Sequence, residues 1–164
     1  MPEKHTARRF SEYNRILKET DELYRSAVKT MGLPDCAFWI LYTLRESSET
    51  LTQSDVCYTL YQPKQTVNSA LKKLADGGYI VLSEQKDRRS KPLSLTEKGQ
   101  RLAEKTVDRV IAAEHRALAG LSEEKQDIFI RKKFTEESDE NREFLSTSYF
   151  RYFNGRPYTD SECY

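Results

Sequence analysis

The residues best suited to chemistry in this sequence form a short cationic cluster near its middle. The stretch DRRSKPLSLTEKG, residues 87–99, places Arg88 and Arg89 directly after Asp87 and ahead of an apolar-polar alternation. That alternation is typical of a strand with one buried face, so we predict a β-hairpin with the arginines at its tip. A guanidinium there can enter a narrow minor groove, where the potential is most negative. The neighbouring carboxylate can hold an arginine extended and so reduce the entropy lost on insertion.

A second set of polar side chains precedes the hairpin, on a predicted helix. In PKQTVNSALKKLADGG, residues 63–78, apolar residues recur at helical spacing and amides, hydroxyls and lysines occupy the opposite face. A helix fits the major groove, where amides can pair with adenine edges, lysines can reach guanine or phosphate, and hydroxyls suit phosphate. We therefore predict DNA contacts from Ser54 on the preceding helix and from Lys64, Gln65, Thr66, Asn68, Ser69, Lys72, Arg88 and Arg89.

Local signals place these residues on a helix-turn-helix followed by the hairpin. A short helix, TQSDVCYTL, begins with Thr52 and has Asp55 three residues later, which resembles a capping box. The tripeptide YQP separates it from the polar helix, as in a helix-turn-helix. The strands YIVLSE and PLSL follow, and Pro92 lacks a backbone donor, which indicates an edge strand.

Helices flank this central part on both sides. Residues 8–30 predict an amphipathic helix, and PDCAFWILYTLRES after it is apolar nearly all round, which predicts a central position in the fold. A long helix is expected from Thr96 to Gly120, with a heptad-like stripe interrupted by Glu114, and a last helix from Ser122. The first and last helices are too weakly apolar to be stable alone, which predicts a homodimer whose chain ends wrap together.

Composition limits the classes of function. The chain of 164 residues has a net charge of +1, but residues 61–109 hold 11 Lys/Arg against 6 Asp/Glu, an excess that suits phosphate binding. Three cysteines and two histidines suggest neither a disulfide framework nor a zinc site, and no phosphate-binding loop or nucleophile motif is present. We expect no metal, no cofactor and no enzyme activity. The conceivable alternative is an active site around His115 with a remote Asp and a cysteine.

Two further features concern location. The sequence holds no run of 18 apolar residues, and its first residues, MPEKHTARRF, lack the apolar stretch of a secretory signal. We therefore expect a cytoplasmic protein without membrane contact. The aromatic-rich end, STSYFRYFNGRPYTDSECY, is unusual for a disordered tail. We expect part of it to be buried, for example against a second subunit.

Residues 51–99 resemble the MarR family of bacterial transcription regulators, most closely in TVNSALKKLADGGYI, DRR and LSLTEKG. The resemblance implies a mainly α fold with a small β-wing, in which a winged helix-turn-helix domain (34–100) is inserted in a helical dimerisation domain (1–33 and 101–164). It further implies a homodimer on a pseudo-palindromic double-stranded operator, repression in the usual case, and release of DNA by small, often aromatic, molecules or by cysteine oxidation. By position, Asp87 matches the wing carboxylate and Arg89 the minor-groove arginine.

The sequence predicts less about whether the protein responds to a small molecule or to oxidation. Four aromatic side chains could line an effector cleft, although residues of this kind are more often part of a core: Tyr13, Tyr24, Trp39 and Tyr42. Cys36 starts the second helix, where the helix N-terminus can depress a thiol pKa, so it is a candidate redox sensor or a buried inert residue. Apart from an enzyme, the alternative to a DNA-binding regulator is a winged-helix module that binds protein.

Overall fold

Helices dominate the structure, and a small hairpin is set among them. The computed structural model describes residues 2–60, 62–83 and 92–134. Its elements in chain order are α1 (Pro2–Thr30), α2 (Asp35–Glu46), α3 (Gln53–Leu60), α4 (Lys64–Asp76), β1 (Ile80–Leu82), β2 (Leu93–Leu95), α5 (Glu97–Lys105), α6 (Val107–Ala119) and α7 (Glu123–Phe134). This confirms the expected fold class, a mainly α protein with a small β-wing.

Helix α2 is the centre of the fold, as its nearly all-apolar sequence predicts. It packs against α1, α3, α4, α5, α6 and β2. Ile40 belongs to the cluster that includes Val56 and Val67 of the helix-turn-helix, whereas Phe38 and Leu41 belong to a second cluster with Val107. All six side chains are fully buried. One helix therefore joins the core of the winged domain to that of the flanking helices.

The helix-turn-helix forms as its capping and turn signals predict. The carboxylate of Asp55 accepts from the backbone N–H and the hydroxyl of Thr52, at 2.8 and 2.7 Å, which fixes the start of α3. These bonds lower the pKa of Asp55. Helix α4 ends at Gly77 and Gly78, and Gly78 adopts the left-handed conformation (φ +71°) that turns the chain into β1.

The hairpin strands pair antiparallel, with Ile80 opposite Leu95 and Leu82 opposite Leu93. In the described two-stranded sheet β2 is an edge strand, as Pro92 indicates. Its outer side is nevertheless partly covered, because Pro92 forms an isolated bridge with Thr52 and the Leu93 N–H donates to the carbonyl of Leu51 at 2.8 Å. Proline is tolerated there because it stands ahead of the first residue of the strand and its carbonyl still accepts from Ser83.

The single long helix expected after Thr96 is in fact two helices that meet at Thr106. The Thr106 backbone leaves the helical region (φ −125°, ψ −90°), and its buried hydroxyl donates to the Leu102 carbonyl at 2.7 Å. Back-bonding of this kind bends helices, and the β-branched pair Thr106-Val107 favours the break. The predicted ends are confirmed, because Thr96 caps α5 through the N–H of Gly99 and Gly120 ends α6.

Two predicted regions lie outside the described residues. They are the hairpin tip, with Asp87, Arg88 and Arg89, and the aromatic end of the chain after residue 134. Helix α7 begins after Ser122, as predicted from its acidic first turn.

Candidate nucleic-acid interface

Helix α4 presents a polar face to solvent on the side opposite its core stripe. Its inner residues Val67, Leu71 and Leu74 are buried among α2, α3 and β1. The exposed residues on the other side are Lys64, Gln65, Thr66, Ser69, Lys72 and Lys73, and Ser54 of α3 is exposed as well. Every predicted contact residue within the described part of the chain is therefore solvent-accessible except Asn68. This face combines cations, hydroxyls and an amide, the side chains that contact phosphates and base edges.

Asn68 differs from the prediction because it is half-buried between α3 and α4. Its Oδ1 accepts from the Gln53 Nε2 at 2.5 Å and from the Cys57 thiol at 3.9 Å. The carboxamide oxygen is thus engaged within the protein. No local sequence signal predicts this pairing, since Gln53 and Asn68 are 15 positions apart.

The TEKG motif at the start of α5 holds the end of α4 against the hairpin, a role that the sequence analysis missed. The Thr96 hydroxyl donates to the Gly78 carbonyl at 2.6 Å, and the Lys98 ammonium donates to the Gly77 carbonyl at 2.7 Å. Lys98 also lies 4.4 Å from the centre of the Tyr79 ring, within cation–π range. The Gly99 backbone passes so close to Tyr79 that a Cβ would lie 1.9 Å from the Tyr79 carbonyl oxygen.

A cleft of about 780 Å³ lies beside α4 and was also missed. One wall is the α1–α2 connection with the start of α2, and the opposite wall includes Gln65, Thr66 and Ser69 of α4. Its size is within the range of small-molecule sites. Three predicted DNA-contact residues therefore also border a space that could hold a ligand.

Three of the four aromatic residues proposed for an effector cleft come together around one carboxylate. The Trp39 ring centre lies 5.5 Å from that of Tyr24 and 5.4 Å from that of Tyr42. The hydroxyls of both tyrosines donate to Glu114, with Tyr42 at 2.6 Å. Burial and this bond raise the pKa of Tyr42. Glu114 thus interrupts the apolar stripe of α6 because it accepts two phenol hydroxyls from α1 and α2.

Tyr13 does not join this aromatic cluster. It stacks on Phe10, with ring centres 6.3 Å apart, and it is 40% exposed. Eleven positions separate it from Tyr24 on α1, which is about 16 Å along a helix. The sequence could not show this, because both positions fit the apolar stripe of one long helix.

Cys36 does not have the depressed thiol pKa that its place at the start of α2 suggests. Burial, and then the Asp35 carboxylate and Cys57, raise its pKa to about 11. The helix N-terminus stabilises a thiolate by only about 0.3–1 kcal/mol, which does not offset the loss of solvation and the repulsion by the Asp35 carboxylate. The structure thus favours the interpretation of Cys36 as an inert thiol.

The described residues, 2–60, 62–83 and 92–134, contain no group of three or more His, Cys, Asp or Glu side chains that could hold a metal ion. None of the helices in that part of the chain combines the length and the apolar character needed to cross a membrane. His115 is exposed on α6, and its Nε2 lies 3.8 Å from a carboxylate oxygen of Glu46.

These elements define a winged helix-turn-helix protein with helices on both sides of the winged part. Comparison with known proteins agrees with this fold. A family model described as MarR family matches residues 31–90, and several solved structures with the same fold are described as MarR family regulators. The resemblance to the MarR family of transcriptional regulators is thereby confirmed. The comparison with curated protein sequences gives no match.

Three of the similar structures illustrate the shared fold. A MarR family regulator from Neisseria meningitidis, NMB1585, is 23% identical with a TM-score of 0.65, over 86% of this chain and 96% of that one. S. aureus MepR in its DNA-binding conformation is 21% identical with a TM-score of 0.64, over 83% and 95%. CouR from Rhodococcus jostii, bound to p-coumaroyl-CoA, is 23% identical with a TM-score of 0.55, over 77% and 92%.

Proposed function

We propose that this protein is a sequence-specific regulator of transcription that binds double-stranded DNA. The observation that supports this proposal most strongly is the exposed, cationic and amide-bearing face of α4, whose far end is tied to the hairpin through Thr96 and Lys98. A helix supported in this way can enter a major groove as one body with the wing. Arg88 and Arg89, oriented by Asp87, then reach the adjacent minor groove.

The DNA-binding unit is a homodimer. Within the described residues, the first two-thirds of α1 has little of the chain to pack on, and Ile16 and Leu23 are 49% and 70% exposed. Ile128 on α7 is 47% exposed. A second copy would bury these side chains and would place two α4 helices on half-sites roughly 34 Å apart. Residues 1–33 and 101–164 thus form the dimerisation part, and residues 34–100 the DNA-binding part.

Titration of labelled duplexes tests DNA binding. We expect a selected pseudo-palindrome to bind with an affinity that falls steeply with salt, because phosphate contacts release counterions. Arg89→Ala weakens binding to most sequences, whereas Gln65→Ala relaxes base preference at one symmetric pair of positions. Lys125→Ala, an equal loss of charge on the exposed face of α7, is the control and leaves binding close to that of the wild type.

Unchanged affinity of Arg89→Ala at moderate salt would refute the role of the wing, and absence of any salt-dependent duplex binding would refute the function. In the second case a winged-helix module that binds protein becomes the better interpretation. A monomeric mass in sedimentation at micromolar concentration would refute the dimer.

The regulator acts as a repressor that leaves DNA when a small aromatic molecule binds. Two separate features support this: the cleft that shares Gln65, Thr66 and Ser69 with the DNA-contact face, and the Tyr24–Trp39–Tyr42 cluster. One similar structure, CouR, is bound to p-coumaroyl-CoA. Screening aromatic acids for loss of the mobility shift tests release, and the absence of any ligand-dependent change across such a screen would count against it.

A further inference from the structure

The pairing of Gln53 with Asn68 bears on which bases α4 can read. Asn68 follows Gln65 by three positions and therefore lies on a neighbouring part of the helix surface, at the margin of the DNA-contact face. Its carboxamide oxygen accepts from Gln53 Nε2 at 2.5 Å. The Cys57 thiol, on the buried side of α3, donates to the same oxygen at 3.9 Å.

Both contacts reach the Asn68 carboxamide at its oxygen, which therefore faces the protein. Turning only the Asn68 carboxamide would direct its N–H groups at the Gln53 Nε2 donor. With the oxygen held inside, only the Nδ2 group is left to point towards a bound duplex. The side chain then offers hydrogen-bond donors and no acceptor.

Resting on the function proposed above, we propose that Gln53 is a specificity-determining residue that makes Asn68 read guanine and reject adenine. Adenine is recognised by an amide that accepts from N6 and donates to N7 at once, and the engaged oxygen prevents the first of these bonds. Guanine presents the acceptors N7 and O6 side by side, which match two N–H donors. Gln53 acts on the base through Asn68 without contacting it.

Selection of bound duplexes from a randomised pool tests this proposal with four proteins. In the wild type, one symmetric pair of positions carries guanine, preferred over adenine by about tenfold. Asn68→Ala removes the preference at that pair. Gln53→Met, which keeps the length of the side chain and lacks the donor, frees Oδ1 from its stronger partner and changes the same pair to adenine. Thr59→Met adds the same side chain to an exposed position of α3 and leaves the selection unchanged.

The selected sequences distinguish failure of this proposal from failure of the proposed function. Selection of adenine by the wild type at the Asn68 pair, or an unaltered preference in Gln53→Met, would overturn the proposal while leaving DNA binding intact. Failure of the wild type to select any sequence would instead refute the proposed function.

A measurement on the free wild-type protein applies even where the substitution impairs folding. The side-chain amide protons of Gln53 should exchange with solvent more slowly than those of exposed Gln65, and Asn68→Ala should abolish the difference. Equal exchange rates in the wild type would show that the pair does not form, and would overturn the proposal.

Discussion

The close approach of α5 to the end of α4 makes Gly99→Ala an informative perturbation, because two opposing effects are both measurable. Alanine has a better helix propensity than glycine by about 1 kcal/mol, so propensity alone would stabilise the first turn of α5. The added Cβ, however, would lie 1.9 Å from the Tyr79 carbonyl oxygen, which is a backbone atom and cannot move independently. Helix α5 and the backbone of Tyr79, which lies between α4 and β1, must therefore separate by about 1 Å to restore ordinary contact distances.

That separation breaks the hydrogen bonds of the TEKG motif. The Thr96 N–H donates to the Tyr79 carbonyl at 3.0 Å, and the Thr96 hydroxyl donates to the Gly78 carbonyl at 2.6 Å. Their loss costs about 1 kcal/mol each, and the strain that remains adds about 1 kcal/mol more. Against the gain in propensity, Gly99→Ala should lower the free energy of unfolding by about 2 kcal/mol, which is a drop in Tm of about 8 °C for a chain of this size.

Thermal and urea unfolding at a fixed protein concentration measure this difference, since the proposed dimerisation would make Tm depend on concentration. Gly120→Ala is the matched control. Gly120 has a φ of −71°, and the nearest atom to a Cβ there is 3.4 Å away, so alanine fits without movement. Its Tm should equal or exceed that of the wild type. A Gly99→Ala protein as stable as the wild type, or an equal loss in Gly120→Ala, would refute the reasoning.

Three further predictions concern the described side chains. Burial, and then the bond to Glu114, raise the pKa of Tyr42 above the ordinary phenol value of about 10. The stability linked to this shift is fully present below about pH 10 and is lost as pH rises further, because the phenol of the unfolded chain ionises first. Tyr42→Phe should therefore lower stability by about 1 kcal/mol at pH 7 and flatten the alkaline decline measured by urea unfolding, and an unchanged alkaline limb would contradict this. With its pKa near 11, Cys36 should react with iodoacetamide at neutral pH at least tenfold more slowly than a free thiol. Mass spectrometry of the Cys163→Ser variant measures the rate of this reaction. Fast alkylation of Cys36 would show that its thiol is activated. Arg45 makes two hydrogen bonds to Asp108, at 2.8 and 2.5 Å, and both groups are partly exposed. Arg45→Ala and Asp108→Asn should therefore each lower the free energy of unfolding by about 1 kcal/mol, and the double variant should be no less stable than either single variant. Fully additive losses would show that the pair does not interact.

Much of the fold follows from local sequence signals. Helix α2 is apolar nearly all round and lies at the centre, the Thr52 and Asp55 pattern caps α3, and Gly78 provides the left-handed residue after α4. These features depend on neighbouring residues and on helical periodicity, which a single sequence displays directly. The exposed polar face of α4 follows from the same periodicity.

Contacts between residues that are distant in the chain determine the features that local sequence signals did not predict. The break at Thr106 depends on a buried hydroxyl, and Pro92 lies between two neighbours because residues 51–52 return to pair with it. Burial raised the pKa of Cys36, and Gln53 engaged the oxygen of Asn68 from a different helix. Sequence by itself determined the types and faces of the elements, because periodicity and capping act over a few residues. Only the tertiary structure decided which polar groups are satisfied internally, because hydrogen bonding and desolvation depend on residues that are distant in the chain.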